Sequence, residues 1–431
     1  MRIAIPVALI ASLLLCVLAP MRELSGDTVP GRIGGAVLRC AGDFDLSHVD
    51  WVKAEADRGG VFYFIQLDEA GAYTSVFGPA PAAVMSLALV DFGDGDVIAD
   101  ATLRSRERIA AGVLFAISVA LIMLAVYARG DARRAVIAGA TCALSFAGAA
   151  SLGQAMWQAT TALPALTGAL AVLAWRDRYP RIALAVPALL VLAMMLRPTI
   201  APLAIGLGIM WALDTGGVRS WLVAAGIALV CAAPLIVWNS IHLWSPLPIG
   251  QWVANAREAD HVFSVGGALT GIAGLLVSPG RGLLWFAPIT IVGTVAALRS
   301  RTHRTVGIAI VVQLIAMAAF FKWHGGQAFG PRLLAETTWV AIWLALTLDV
   351  RRTFLRPVLA VTIIVGQLAL WRFTPAQWEQ RRLPAADPSA FWDFADSPIA
   401  ATFTSPDPLG HDSPPVARVS CEHGMLRSLA R

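Results

Sequence analysis

Apolar residues along this chain run in long blocks, and the charges collect in the short gaps between them. Blocks of that kind predict membrane helices, since about 20 apolar residues cross the hydrocarbon, whereas a soluble helix shows polar positions every third or fourth residue. They fall at 3–20, 109–127, 135–151, 161–175, 182–196, 198–213, 219–237, 283–298, 304–321, 333–349 and 355–371. Several are shorter than a full crossing needs, which tilted or protein-buried helices would accommodate. The pair at 182–213 is interrupted by Arg197–Pro198. The first block, behind Arg2, reads as a cleaved signal peptide or as an uncleaved helix. LLLC ending at Cys16 lacks the small residue that a lipobox places before its cysteine. The fold class expected is an all-α polytopic membrane protein of about eleven transmembrane helices, with a long mixed α/β first extracytoplasmic loop.

That loop, residues 21–108, holds half of the 28 acidic residues. TVPGRIGGAVLRC predicts a short amphipathic helix around Ile33, Val37 and Leu38. GGVFYFIQLDEAGAYTSVF predicts a β-hairpin turning at Asp68–Gly71, with aromatic and β-branched runs on either side. PAPAAVMSLALV, from Pro79, is too short to span and suits a membrane-surface or re-entrant helix. The Pro-rich tail, 372–431, reads as irregular chain docked on the outer face or partly disordered. The division is thus 1–371 as the membrane body, including the outer loop, and 372–431 as an extracytoplasmic tail.

Charge fixes the expected orientation. Arg129–Arg134, Arg176–Arg181, Arg299–Arg304 and Asp349–Arg352 bound Arg-rich loops, whereas the alternate loops (Gly153–Thr161, 238–282, Lys322–Arg332) are poor in positive charge for their length. The Arg-rich set belongs in the cytoplasm, with the N-terminus inside and the C-terminus outside. The net charge of +5 comes from these clusters and predicts no nucleic-acid partner. Only 14% of residues are charged, too few to cover a water-soluble body of this size. Lys53 and Lys322 are the only lysines, a bias that fits a GC-rich bacterial genome. Cys16, Cys142 and Cys231 fall in apolar blocks, whereas Cys40 and Cys421 both face the oxidising side and could pair.

Candidate chemistry converges on the outer face. Asp27, in SGDTVPGR, follows the first helix closely; Asp43 and Asp45 follow in GDFDLS. Each could be a general base, a cation ligand, a helix cap or a solvated charge. Arg281, in SPGRGLLWFAP, sits in a Gly/Pro turn that suits an anion or a lipid head group. Lys322, His324 and Arg332 flank KWHGGQAFGPR, and Arg332 leads straight into a helix near its positive end. His324 could be a ligand, a proton donor or a structural group. Arg197 must reach water, a lipid phosphate or a protein carboxylate. Trp157, Gln158, Asn239, Trp244 and Gln251 mix aromatic rings and amides, as sugar sites and interfacial belts both do. Nucleotide, zinc-protease, CxxC and GxSxG motifs are absent.

In this order the residues resemble the GT-C class of integral membrane glycosyltransferases, in the group that uses polyprenyl-phosphate sugars or dolichyl-phosphate mannose. The resemblance rests on Gly26–Asp27–Thr28, LRCAGDFDL, GAYTSVFGPAPAA, SPGRGLLWFAP from Ser278 and WHGGQAFGPRLL from Trp323. It runs to residue 371 and includes the first helix uncleaved. WQAT at Trp157–Thr160 stands where relatives often read WQHG. The class implies a bacterial inner-membrane enzyme with a lipid-linked sugar donor and a glycan, lipid or protein acceptor. It implies Asp27 as base, Asp43 or Asp45 as a second acid, and Arg281 and Arg332 on the donor phosphate. Some members use a divalent cation and others none, so the cofactor stays open. A transporter or flippase of lipid-linked glycans is the alternative, and would carry charges deep within broken helices.

Overall fold

The computed structural model describes the chain apart from residues 21–25, 59–61, 63, 69–70, 94–95, 216, 257–260, 327, 349, 373–377, 379–387, 405–417, 423–424 and 429–431. Helices dominate. The bundle comprises α1 (Ala4–Leu18), α5 (Asp100–Tyr127), α6 (Ala132–Leu144), α7 (Gln158–Ala174), α8 (Val186–Leu196), α9 (Ala201–Asp214), α10 (Val218–His242), α14 (Pro288–Arg299), α15 (Arg304–Ala319), α16 (Ala335–Thr347) and α17 (Arg352–Arg372). These match the eleven apolar blocks in position. By length and composition, however, only α5, α10 and α17 among the described helices are sufficient to cross a membrane. Most of the others span 12–17 residues, which rise only about 18–25 Å at ~1.5 Å per residue. Breaks account for the shortfall: the chain leaves α-helix at Arg197 between α8 and α9, and runs through turns after Leu144. Large apolar side chains lie open on the bundle surface, among them Leu222, Leu229 and Val230 of α10. This is the surface of a membrane protein, since water would not tolerate so continuous an apolar face.

The two ends of the bundle differ. At one end Arg176 pairs with Asp214 at 2.7 Å and Arg134 donates to the Leu346 carbonyl. His303 feels Arg129, Arg176 and Asp214 there, and burial followed by the two arginines lowers its pKa to about 4. At the other end stands the outer segment, which has its own core.

In that segment α2 (Val29–Cys40) packs on α4 (Ala80–Ala88). The approach is so close that a Cβ on Gly35 would lie 2.4 Å from Met85 Cβ. Ile33, Val37, Leu46, Val52, Ile65, Val76, Met85, Leu89 and Ile98 form the core. The helix α4, expected from PAPAAVMSLALV, is one wall of this unit. The hairpin forms as β1 (Ile65–Leu67) and β2 (Tyr73–Ser75), antiparallel, with Gln66 opposite Thr74. A third strand, β3 (Val97–Ala99), pairs with β4 (Arg418–Glu422), which pairs with β5 (Met425–Ser428). The described tail is therefore partly ordered.

Several elements were not expected, among them α3 (Asp50–Asp57) and α11 (Gly250–Ala256). Segment 238–282, read as a loop, carries α12 (Val265–Val277), apolar throughout. The Ser264 N–H donates to Ala319 O at the end of α15, and Gly274 meets the Trp323 ring. Both ends of α12 thus lie at the same end of the bundle, so it lies across the bundle and leaves the alternation of the other helices intact.

Candidate active site at one end of the bundle

Asp27 sits in a 3₁₀ turn, Gly26–Thr28, that runs directly into α2 with Pro30 in its first turn. Proline suits that position because its missing N–H is unpaired there anyway. Arg332 opens a second 3₁₀ turn, Arg332–Leu334, leading into α16. The two turns face each other: Arg332 Nη2 lies 2.7 Å from Asp27 Oδ2. The guanidinium also stacks over the Trp157 ring, 4.5 Å from its centroid, a contact that suits a planar cation. Arg332 Nη1 is buried with no hydrogen-bond partner among the described residues.

One turn further along α16, Glu336 is fully buried and ion-paired with Arg197. The carboxylate alternative for Arg197 is the one realised. Asp27, Arg332, Glu336 and Arg197 therefore make a patch of alternating charge at the ends of three elements. Glu336 went unnoticed in the sequence because it falls inside a predicted span. An acid within an apolar block was nevertheless a usable signal. A second buried pair was missed as well: Arg32 Nη1 reaches Glu107 Oε2 at 3.3 Å, and Glu107 Oε1 accepts the Met156 N–H at 3.0 Å. It fastens α2 to α5 and to the strap before Trp157.

Arg281 has a different place from the one expected. It is completely buried and donates to the carbonyls of His324 (2.8 Å), Gly280 (3.0 Å) and Gly326 (3.0 Å). Trp378 and Phe391 from the tail flank its guanidinium at 5.5 and 5.1 Å. Its charge is turned to the loop backbone, not to an open site. Gly325 and Gly326 both have positive φ (+77° and +64°), a region that L side chains adopt at a cost. The turn they make carries Arg332 on its far side, with Arg332 Nε 3.8 Å from a Cβ placed on Gly325.

His324 Nδ1 accepts the Gly326 N–H at 3.2 Å. Burial, then Arg281, Lys322 and Arg332, lower its pKa to about 3. It is neutral at physiological pH, and its bond to Gly326 gives it a structural place in the turn. Lys322 lies over the Phe321 ring at 5.2 Å. Asp45 accepts from Ser47 N–H, Ser47 Oγ and Tyr73 N–H, and Asp43 pairs with His48 at 3.0 Å. Both acids fasten the outer fold, Asp45 by capping a 3₁₀ turn and tethering the hairpin. Gln158 donates to Phe77 O at 2.9 Å, joining α7 to the outer segment. Asn239 is buried near the hairpin end of α10, its amide nitrogen unpaired among the described residues.

Cys40 is disulfide-bonded, whereas the side chain of Cys421, the expected partner, lies outside the described residues. Among the described residues no cluster of three or more His, Cys, Asp or Glu could hold a metal ion.

No family model and no curated protein matches this chain. Among solved structures it is similar to the oligosaccharyltransferase of Archaeoglobus fulgidus, crystallised with zinc and sulfate. The two share 18% identity at a TM-score of 0.43, over 95% of this chain. The chain spans 58% of the length of that protein. At that score the likeness is too loose to carry an argument about activity.

Proposed function

We propose that this protein is a membrane glycosyltransferase that moves a sugar from a polyprenyl-phosphate donor to an acceptor hydroxyl on the extracytoplasmic face. The observation that carries the reading is the 2.7 Å contact between Asp27 and Arg332 over Trp157. It sets a carboxylate and a guanidinium side by side where two helices begin. A guanidinium is suited to a phosphate, offering several donors in a plane. A carboxylate beside it is suited to deprotonate the incoming hydroxyl.

The reaction would run as one displacement with inversion. The acceptor oxygen forms a bond to the anomeric carbon as the bond from that carbon to the phosphate oxygen breaks. The phosphate departs with the electron pair, and the acceptor proton passes to Asp27. Arg332 stabilises the charge that develops on the leaving phosphate. Glu336, on the next turn of α16, and its partner Arg197, from the break between α8 and α9, back Arg332. Asp43 and Asp45 are assigned to holding the outer segment, and Arg281 to holding the turn at Gly325–Gly326. A divalent cation and the identity of the sugar are left to the assay.

The test is to incubate purified protein with several polyprenyl-phosphate sugars and candidate acceptors, then identify products by mass spectrometry. Asp27→Asn is expected to lower turnover by about 10²-fold or more while melting at the wild-type temperature. Full activity in a folded Asp27→Asn protein would sink the proposal. Movement of intact donor across the bilayer with no sugar transfer would favour the transporter instead.

A further inference from the structure

A cleft of about 90 Å³ opens at the opposite, arginine-rich end of the bundle, between the N-termini of α6 and α17 and the C-terminus of α16. Its rim carries Arg133, Arg134, Arg352 and Arg356. Its floor is apolar, formed by Ile137, Leu346, Leu355 and Leu359. We propose that this cleft binds the phosphate of an anionic phospholipid, with an acyl chain lying along the apolar floor.

Among the described residues the positive charge of the rim is not used up. Asp131 caps α6 through the Arg134 N–H and pairs with the Arg134 side chain at 3.3 Å. Arg134 also donates to the Leu346 carbonyl at the end of α16. Among the described residues Asp131 is the one carboxylate on the cleft wall and is thus committed, and Arg134 is held in place. Arg133, Arg352 and Arg356 have no carboxylate within ion-pair distance among the described residues. The positive ends of two helices, α6 and α17, meet at the same place and add to the field.

Arginines at a membrane boundary ordinarily need no ligand beyond water and bulk lipid. Here they surround a recess whose base is hydrocarbon. A soluble anion would leave that floor wet, whereas a phospholipid satisfies both parts at once. Basic pockets between membrane helices recognise head groups in this way, and each arginine near the surface favours an anionic lipid by about fivefold. A guanidinium also pairs with phosphate oxygens in a plane, which the choline of a zwitterionic head group opposes.

The experiment is native mass spectrometry of the full-length protein released from detergent, with phosphatidylglycerol, phosphatidylcholine and inorganic phosphate as probes. Wild type should retain phosphatidylglycerol at least tenfold better than phosphatidylcholine and gain thermal stability from it. The triple variant Arg133→Gln, Arg352→Gln, Arg356→Gln should lose that preference. Because removing three arginines can disturb membrane insertion, Leu359→Trp serves as a second variant. It fills the floor, keeps every charge and should lose phosphatidylglycerol as well. Equal retention of both lipids by wild type overturns the proposal, as does phosphatidylglycerol binding unchanged in a folded variant. Stabilisation by inorganic phosphate equal to that by lipid would also overturn it, leaving a plain anion site. None of these readouts depends on sugar transfer.

Discussion

Arg281 and Arg332 stand on opposite sides of the same glycine turn, each in a Gly/Pro-rich motif, and they bind opposite kinds of acceptor. Arg281 is completely buried and gives its donors to three backbone carbonyls between two aromatic rings. Arg332 holds the side-chain carboxylate of Asp27 and keeps Nη1 uncommitted among the described residues. Carbonyls of a tight turn cannot leave, so an arginine bound to them is part of the scaffold. A side-chain carboxylate can exchange for a phosphate at small cost, so an arginine bound to it can serve in a reaction. The type of acceptor separates the two roles.

The sharpest way to break this comparison is Arg281→Ala. It strands three carbonyls, one buried and two partly buried, and removes the cation between Trp378 and Phe391. A loss of at least about 4 kcal/mol is expected, read as a lowered unfolding temperature in detergent. If the variant melted like wild type but lost donor binding alone, the scaffold role would be wrong. Glu336→Ala comes next. It leaves the Arg197 guanidinium buried without its carboxylate, for about 3 kcal/mol. The double change Arg197→Leu with Glu336→Leu should recover most of that stability, because packed hydrocarbon replaces a buried ion pair well.

Arg332→Lys should be mild for the fold and severe for the reaction. The charge remains, but the planar stack on Trp157 and the forked donors are lost. A rise in KM for the lipid-phosphate donor of about tenfold is expected, equivalent to about 1.4 kcal/mol, with the melting temperature almost unchanged.

The smallest effect is on pH. Folded His324 titrates at about 3 and His303 at about 4, whereas the unfolded chain takes up these protons near 6.5. The unfolded state therefore binds more protons below that pH. Stability is flat above about 7 and falls as pH drops toward the folded values. Each histidine contributes about 1 kcal/mol of loss between pH 7 and 5.5. His324→Gln should roughly halve that acid slope, measured by denaturant unfolding, and leave the pH profile of transfer near neutrality unchanged.

The sequence made the apolar blocks and their alternation legible, because hydrocarbon demands long apolar runs and the arginine loops fall at every second gap. The resemblance implies Asp27 as base with Arg281 and Arg332 on one phosphate; in the structure Asp27 pairs with Arg332, whereas Arg281 donates to backbone carbonyls. What stayed hidden depends on contacts between distant segments. Nothing local marks Arg281 as buried, since its cover comes from Trp378 and Phe391 in the tail. Asp43 and Asp45 look like free loop acids until the hairpin folds back and presents the Tyr73 N–H. The helix Val265–Val277 was missed because its 13 residues are too few for a crossing and were read as loop.

The tail's place over Arg281 also sets an order of assembly. Residues 378 and 391 leave the ribosome well after the turn at Gly325–Gly326, and they reach it only once the last helix has delivered them to that side. Until then the turn and Arg281 lack their aromatic roof. A chain cut short before Phe391, or one whose far terminus is held back by a bulky fusion, should insert normally yet remain chemically unfinished.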